Sequence, residues 1–230
     1  MLQSFYRDKL NYVGQRIYDD LCEGICQHRK DIRTSFSPDF GRILRAVNYD
    51  HPEFFYVNWM DSFRLSTLGC FSSLHLSYIY DESEISCIQQ RIKATGKTIP
   101  GISDFGKVKG VHDWLIMHVS YDHDGLQSAI RSPGMFSAAG PLIHQKAVCE
   151  GVSKLACCFL REKNVDCRIV TGYSKDGTPH AWIEHKSDSK YSYSDITYDM
   201  GLYGATRTIP YNYFNLDFGK ISQDHIFEQF

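Results

Sequence analysis

The chain has 230 residues, 43% of them hydrophobic and 14% aromatic, with a formal net charge of -2 and a pI near 6.5. A chain of this length and composition buries a sizeable core and is not a disordered polymer. No basic block or basic amphipathic stripe is present, which argues against nucleic acid and anionic membranes as partners, and apolar runs of about five residues, such as "ACCFL", are too short to span a bilayer.

Taken in chain order, "SFYRDKLNYVGQRIYDDLCEGI" places Tyr6, Leu10, Val13, Ile17 and Leu21 at helical spacing. A shorter helix is expected at "DFGRILRAVN", built on Phe40, Ile43, Leu44 and Val47. "YDHPEFFYV" breaks helix at Pro52 and leads into extended structure. "SFRLSTLG" and "SSLHLSYIY" alternate apolar and polar residues and read as a hairpin turning through Gly69 and Cys70. "ESEISCIQQRIKAT" and "DFGKVKGVHDWLIMHVSY" read as helices, the second with Val108, Val111, Leu115 and Val119 on one face.

Residues 122–146 carry Gly125, Pro133, Gly134, Gly140 and Pro141 and read as an irregular segment of a length that often serves function. A helix then starts at Cys149, with Val152, Leu155, Ala156, Phe159 and Leu160 as its apolar stripe. Three strands follow, "CRIVTGY", "HAWIEH" and "YSYSDITYD", separated by the turns "SKDGTP" and "KSDSK". The last thirty residues, rich in Tyr, Phe and Gly, read as an irregular cap. Helices, a hairpin, helices, and then one helix on an antiparallel sheet make an α+β chain. The start "MLQSFYRDKLNYV" lacks the apolar run of a signal peptide, so the chain as written reads as cytoplasmic, or extracellular if a leader has been removed.

Eight cysteines are present, at positions 22, 26, 70, 87, 149, 157, 158 and 167. Disulfide-dense folds are usually shorter secreted chains, so these read as reduced thiols, with Cys22, Cys26, Cys157 and Cys158 as core residues on helices. No C-x-x-C pair is present, and no structural zinc site is expected. His112, His118 and His123 lack the spacing of a helical zinc pair and read as structural or surface residues.

Cys149 differs from the other cysteines in its position. It opens a helix, where unpaired N–H groups and a partial positive charge favour a thiolate. A nucleophilic thiolate also needs an imidazole to protonate the leaving group, and that imidazole needs an acceptor to orient it. His180 opens the second strand of the sheet, and Asp195 lies across the "KSDSK" connection in the third. In a hairpin, a residue near the start of one strand can face a residue near the end of the next. Asp199 is the competing carboxylate, and Asp195 fits the placement better.

The run "AVCEGVSKLACCFL", "CRIVTGY", "HAWIEH" and "YSYSDITYD" resembles the transglutaminase-like superfamily, and more narrowly its bacterial branch with a papain-like thiol hydrolase core. With the preceding "VHDWLIMHVSYD" helix, the resemblance covers roughly residues 106–200. Each motif is weak alone, and four in this order are specific. The resemblance implies Cys149 as nucleophile, His180 as general base and acid, and Asp195 as orienting carboxylate. It also implies a protein or peptide substrate, no metal or organic cofactor, and residues 1–105 as an N-terminal extension to a core at 106–230. Ile183 stands where relatives often have Asn, and Tyr198-Asp199 where they often have Trp-Asp. Trp182, Tyr121 and Gln145 are the candidate substrate-binding residues, with Gln145 also a candidate side-chain donor to an oxyanion and His144 a candidate for the cleft wall.

Overall fold

The computed structural model describes residues 4–60 and 64–230, without the side chains at positions 205 and 206. Two units are distinguished: one extends to Asp81 and includes Phe230, and the other is Glu82–Gln229.

In the first unit, the Asn11 side chain accepts from the Gly14 amide at 2.8 Å and caps α1 (Tyr12–Cys26). α1 buries Ile17, Tyr18, Leu21 and Ile25, while Val13 faces solvent. A strand not anticipated from the sequence, β1 (Asp31–Ser35), buries Ile32 and Thr34. α2 (Phe40–Asp50) ends two residues before Pro52, where the pyrrolidine ring disfavours helical backbone. The stretch beyond Pro52 forms turns rather than extended strand, and it buries Phe54, Phe55, Tyr56 and Val57. β2 (Arg64–Leu68) and β3 (Phe71–His75) make the expected hairpin. Leu68 stands opposite Phe71, and Gly69 takes the left-handed backbone (φ 63°) that the tight turn requires. Ser62 and Phe63, at the start of the expected first hairpin strand, lie outside the described residues. The sheet order is β1-β3-β2.

The second unit starts with α3 (Glu82–Thr98) and α4 (Asp104–His118). The segment up to the central helix holds β4 (Ser120–Tyr121), α5 (His123–Gln127), α6 (Ala139–Ile143) and β5 (Lys146–Ala147). Then come α7 (Cys149–Glu162), β6 (Cys167–Ser174), β7 (Pro179–Ser187), β8 (Lys190–Ser194), α8 (Ile196–Thr206), α9 (Phe218–Ile221) and β9 (His225–Phe227). The four strands form an antiparallel sheet in the order β8-β7-β6-β9. α7 is the central helix, packed on β6 and β7 on one side and on α3 and α4 on the other. Val152, Leu155, Ala156, Phe159 and Leu160, the stripe read from the sequence, are all 0% exposed.

Further expectations are corrected by the second unit. The third strand stops at Ser194, because the Asp195 side chain accepts from the Thr197 and Tyr198 amides and caps a helix. The C-terminal stretch is not wholly irregular, because β9 pairs with β6 as a fourth strand. α3 belongs with the core and not with an extension ending at 105: Gly96 faces Phe159 and Glu162, and Lys163 Nζ donates to the Ile99 carbonyl at 2.6 Å. None of the eight cysteines is in a disulfide. Cys157 and Cys158 are buried as expected, but Cys22 is only half-buried and Cys26 is exposed, because the buried face of α1 runs through Ile17, Leu21 and Ile25.

Candidate active site

The site begins with a helix start that lacks an ordinary cap. Val148 precedes α7 in extended conformation and has no side chain able to accept from the first-turn amides, which stay open to other partners. Gly151, one turn in, lies against the carbonyls of Met135 and Ser137. A Cβ there would run into both, so the glycine allows the 135–137 segment to close on the helix start. Cys149 is 9% exposed at this position.

β4 and β5 pair in parallel, with Tyr121 opposite Ala147. This short bridge brings the Tyr121 hydroxyl close to the Cys149 thiol and to the start of α7. Burial raises the Tyr121 hydroxyl above its ordinary pKa, and the charge and hydrogen bond of Cys149 add to that.

On the other side, His180 at the start of β7 lies close enough to the Cys149 side chain to feel its charge. Its Nε2 donates to Asp195 Oδ2 at 2.5 Å. The Asp195 side chain is 1% exposed, and its Oδ1 accepts from the Thr197 amide (3.0 Å), the Thr197 hydroxyl (2.7 Å) and the Tyr198 amide (3.1 Å). A second imidazole, His225 Nε2, reaches Oδ2 at 2.9 Å. Burial alone would push the His180 imidazole down. The charge and hydrogen bond of Asp195, helped by those of Cys149, win and raise it to about 10. Burial would likewise raise the Asp195 carboxyl, but the charge and hydrogen bond of His180, with those of His225, hold it well below the usual carboxylate range.

The structure therefore brings Cys149, His180, Asp195 and Tyr121 together. It does not place Trp182 or Gln145 with them. Trp182 is 1% exposed and packs behind His180, its ring edge-on to His225 (4.7 Å) and Phe227 (5.0 Å). β9 covers it, so it is core and not a substrate surface. Gln145 is exposed in a left-handed turn (φ 53°), and its carbonyl, which accepts from the Ser120 amide at 2.9 Å, is what it contributes. His144 is also exposed. Asp199 is committed elsewhere: it accepts from His112 Nε2 (3.0 Å) and from the Asn212 amide (3.0 Å). That makes His112 a buried staple between α4 and α8, in line with its structural reading. His225 carried no signal in the sequence, lying in a three-residue strand too short for any periodicity. His180, Asp195 and His225 offer ligand atoms within 4.8 Å of one another, and the hydrogen bonds among them account for that closeness without a metal ion.

A thiol-bearing central helix on an antiparallel sheet that carries the imidazole defines a fold of the papain-like and transglutaminase-like kind. Residues 93–196 match the model of the transglutaminase-like superfamily. A mouse protein, kyphoscoliosis peptidase, is 29% identical over 126 residues, which are 49% of this chain and 19% of that protein. The chain thus spans about a fifth of the length of this relative. Among solved structures, a TGase matches with a TM-score of 0.43 at 17% identity, covering 73% of this chain and 50% of the other. A protein from Cytophaga hutchinsonii described as a candidate cysteine protease matches with a TM-score of 0.38 at 15% identity, covering 61% of this chain and 63% of the other.

Proposed function

We propose that this chain is a cysteine-dependent amide hydrolase acting on protein or peptide substrates, with Cys149 as nucleophile, His180 as general acid and base, and Asp195 as the carboxylate that orients His180. The observation that carries the reading is His180 set beside Cys149, with its Nε2 bonded at 2.5 Å to a buried Asp195. The peptidase named among the relatives supports the substrate class.

In this reading the Cys149 sulfur attacks the amide carbonyl and forms a tetrahedral adduct. In this reading the Cys149 amide and the nearby Tyr121 hydroxyl flank the position of the developing oxyanion. The imidazolium of His180 gives its proton to the departing amine as the carbon–nitrogen bond breaks, leaving a thioester. A water molecule then attacks the thioester carbonyl while His180 takes its proton, and the thiolate departs to leave a carboxylic acid. An acceptor amine in place of water would give a cross-linked amide by the same steps.

The test is mass spectrometry of a broad peptide library incubated with the wild-type chain and with Cys149→Ala. New amine and carboxylate termini, or a one-dalton deamidation of glutamine, are expected with wild type and absent with the variant. Adducts joined through lysine would move the reading to acyl transfer. A library left unchanged by the wild type would overturn the enzymatic reading in favour of a peptide-binding module of the same fold.

A further inference from the structure

The carboxylate of Asp195 serves two imidazoles. Both His180 Nε2 and His225 Nε2 contact the same oxygen, Oδ2, at 2.5 and 2.9 Å. Oδ1 is fully occupied by Thr197 and Tyr198. His225 is the first residue of β9 and lies beyond the matched core at 93–196. Its side chain is 0% exposed and packs against the rings of Trp182 (4.7 Å), Tyr198 (5.0 Å) and Tyr213 (5.9 Å). Among the described residues, no polar group meets its Nδ1. An ionised carboxylate only accepts hydrogen bonds, so the contact fixes a proton on His225 Nε2.

The chain is shaped to bring this ring in. β9 reaches β6 with His225 opposite Ser174 and Phe227 opposite Gly172. A Cβ at Gly172 would collide with the Ile226 carbonyl and the Trp182 ring, so the strand carrying His225 can dock only on a glycine.

We propose that His225 is a positioning residue for the reaction proposed above: its Nε2–H fixes the plane of the Asp195 carboxylate and takes a share of Oδ2, so that Asp195 orients His180 without over-stabilising the proton His180 must give up. Two donors on one oxygen divide its charge. With His225 removed, all of the Oδ2 charge falls to His180, whose imidazolium then holds its proton to higher pH. The ionisable groups facing His225 are Asp195, His180, Tyr198 and Tyr213, the last donating to Asp224. Cys149 lies beyond His180.

The role rests on Cys149 being the nucleophile, and the experiment separates the two claims. Alkylation of Cys149 by iodoacetamide is followed by peptide mass spectrometry from about pH 4 to about pH 11 in the full chain, for wild type, His225→Phe and His225→Gln, with thermal midpoints measured alongside. In the wild type the upper inflection of the rate reports loss of the His180 proton. His225→Phe is expected to hold the wild-type rate plateau past the pH at which the wild type has reached its upper inflection, and His225→Gln, which keeps an N–H donor, to restore the wild-type profile. Coincident profiles for all three at matched thermal midpoints would overturn the role of His225 alone. A wild type in which Cys149 reacts no faster than the exposed Cys26, Cys70 and Cys87 would overturn the nucleophile, and this role with it. Should the phenylalanine variant not fold, imidazole nitrogen NMR of the wild type still decides. A proton on His225 Nε2 is expected, and a proton on Nδ1 instead would sink the proposal.

Discussion

Asp195 does two jobs with two different oxygens, and they can be separated by substitution. Oδ1 caps α8, and Oδ2 holds His180. Asparagine caps a helix about as well as aspartate but cannot accept from His180 as a charged group. Asp195→Asn should therefore keep the α8 cap and lose only the stability that the charged contact with His180 supplies, while lowering kcat roughly 10³- to 10⁴-fold. Asp195→Ala loses both functions and should cost about 1 kcal/mol of stability or more as well. Paired calorimetry and turnover measurements on the two variants check this. Equal loss of stability in both would refute the division of labour. Two histidines in the same sheet set opposite limbs of the pH dependence. His180 is raised from 6.5 to about 10, so its contribution to stability is full below pH 6.5 and is lost as pH climbs through about 10. His185, fully buried and bonded to the Ser194 hydroxyl at 2.9 Å, is lowered by burial to about 4. The unfolded chain then binds more protons than the folded one between pH 4 and 6.5, so stability falls as pH drops across that window, by on the order of 3 kcal/mol. Denaturant titrations at several pH values should show both limbs, and His185→Gln should flatten the acid one only.

At the scale of elements, the approach of the 135–137 segment to α7 depends on Gly151 having no side chain. Gly151→Ala keeps, and even raises, helix propensity, which in a tolerant site would stabilise by about 1 kcal/mol. Here the methyl group meets two backbone carbonyls that cannot rotate away, so we expect a net loss of about 1–3 kcal/mol and a fall in Cys149 reactivity. Chemical denaturation and alkylation rates measure the two effects, and a stabilised, fully reactive variant would contradict the packing argument. The elements also differ in how far the sequence discloses them. α7 was legible because a stripe of five apolar residues repeats with helical period, and the β2–β3 hairpin because a glycine punctuates two alternating runs. Asp195 is legible as the partner of His180, but the element that carries it is not. "YSYSDITYD" alternates like a strand, and the aspartate at the N-cap decides otherwise through bonds to Thr197 and Tyr198 that alternation does not encode. Tyr121 was selected, but what aligns it is a two-residue parallel bridge with no period to detect. β9 and His225 were not legible at all, since a strand of three residues depends on the space left by Gly172, more than fifty residues earlier. Trp182 read as a site residue because it neighbours His180 in sequence; the strand that buries it comes from the far end of the chain.

For the molecule as a whole, the extent of the core is itself testable. The sequence resemblance begins near residue 106, but the second unit begins at Glu82 because α3 forms part of the packing around α7. α3 buries Ile85, Ile88 and Ile92 and sets Gly96 against Phe159, a fully buried residue of the apolar stripe of α7. Burying each of those isoleucines is worth about 1.5–3 kcal/mol, so removing all three exceeds a large part of the 5–15 kcal/mol margin typical of a domain. A fragment starting at Glu82 should unfold in one cooperative transition and keep rapid alkylation at Cys149. A fragment starting at residue 106 exposes one side of α7 and should be aggregated or non-cooperative, with Cys149 no more reactive than an unstructured thiol. Circular dichroism melts and alkylation rates on the two fragments make the comparison. Cooperative melting and a reactive Cys149 in the shorter one would show that α3 is an appendage to the core and not a part of it.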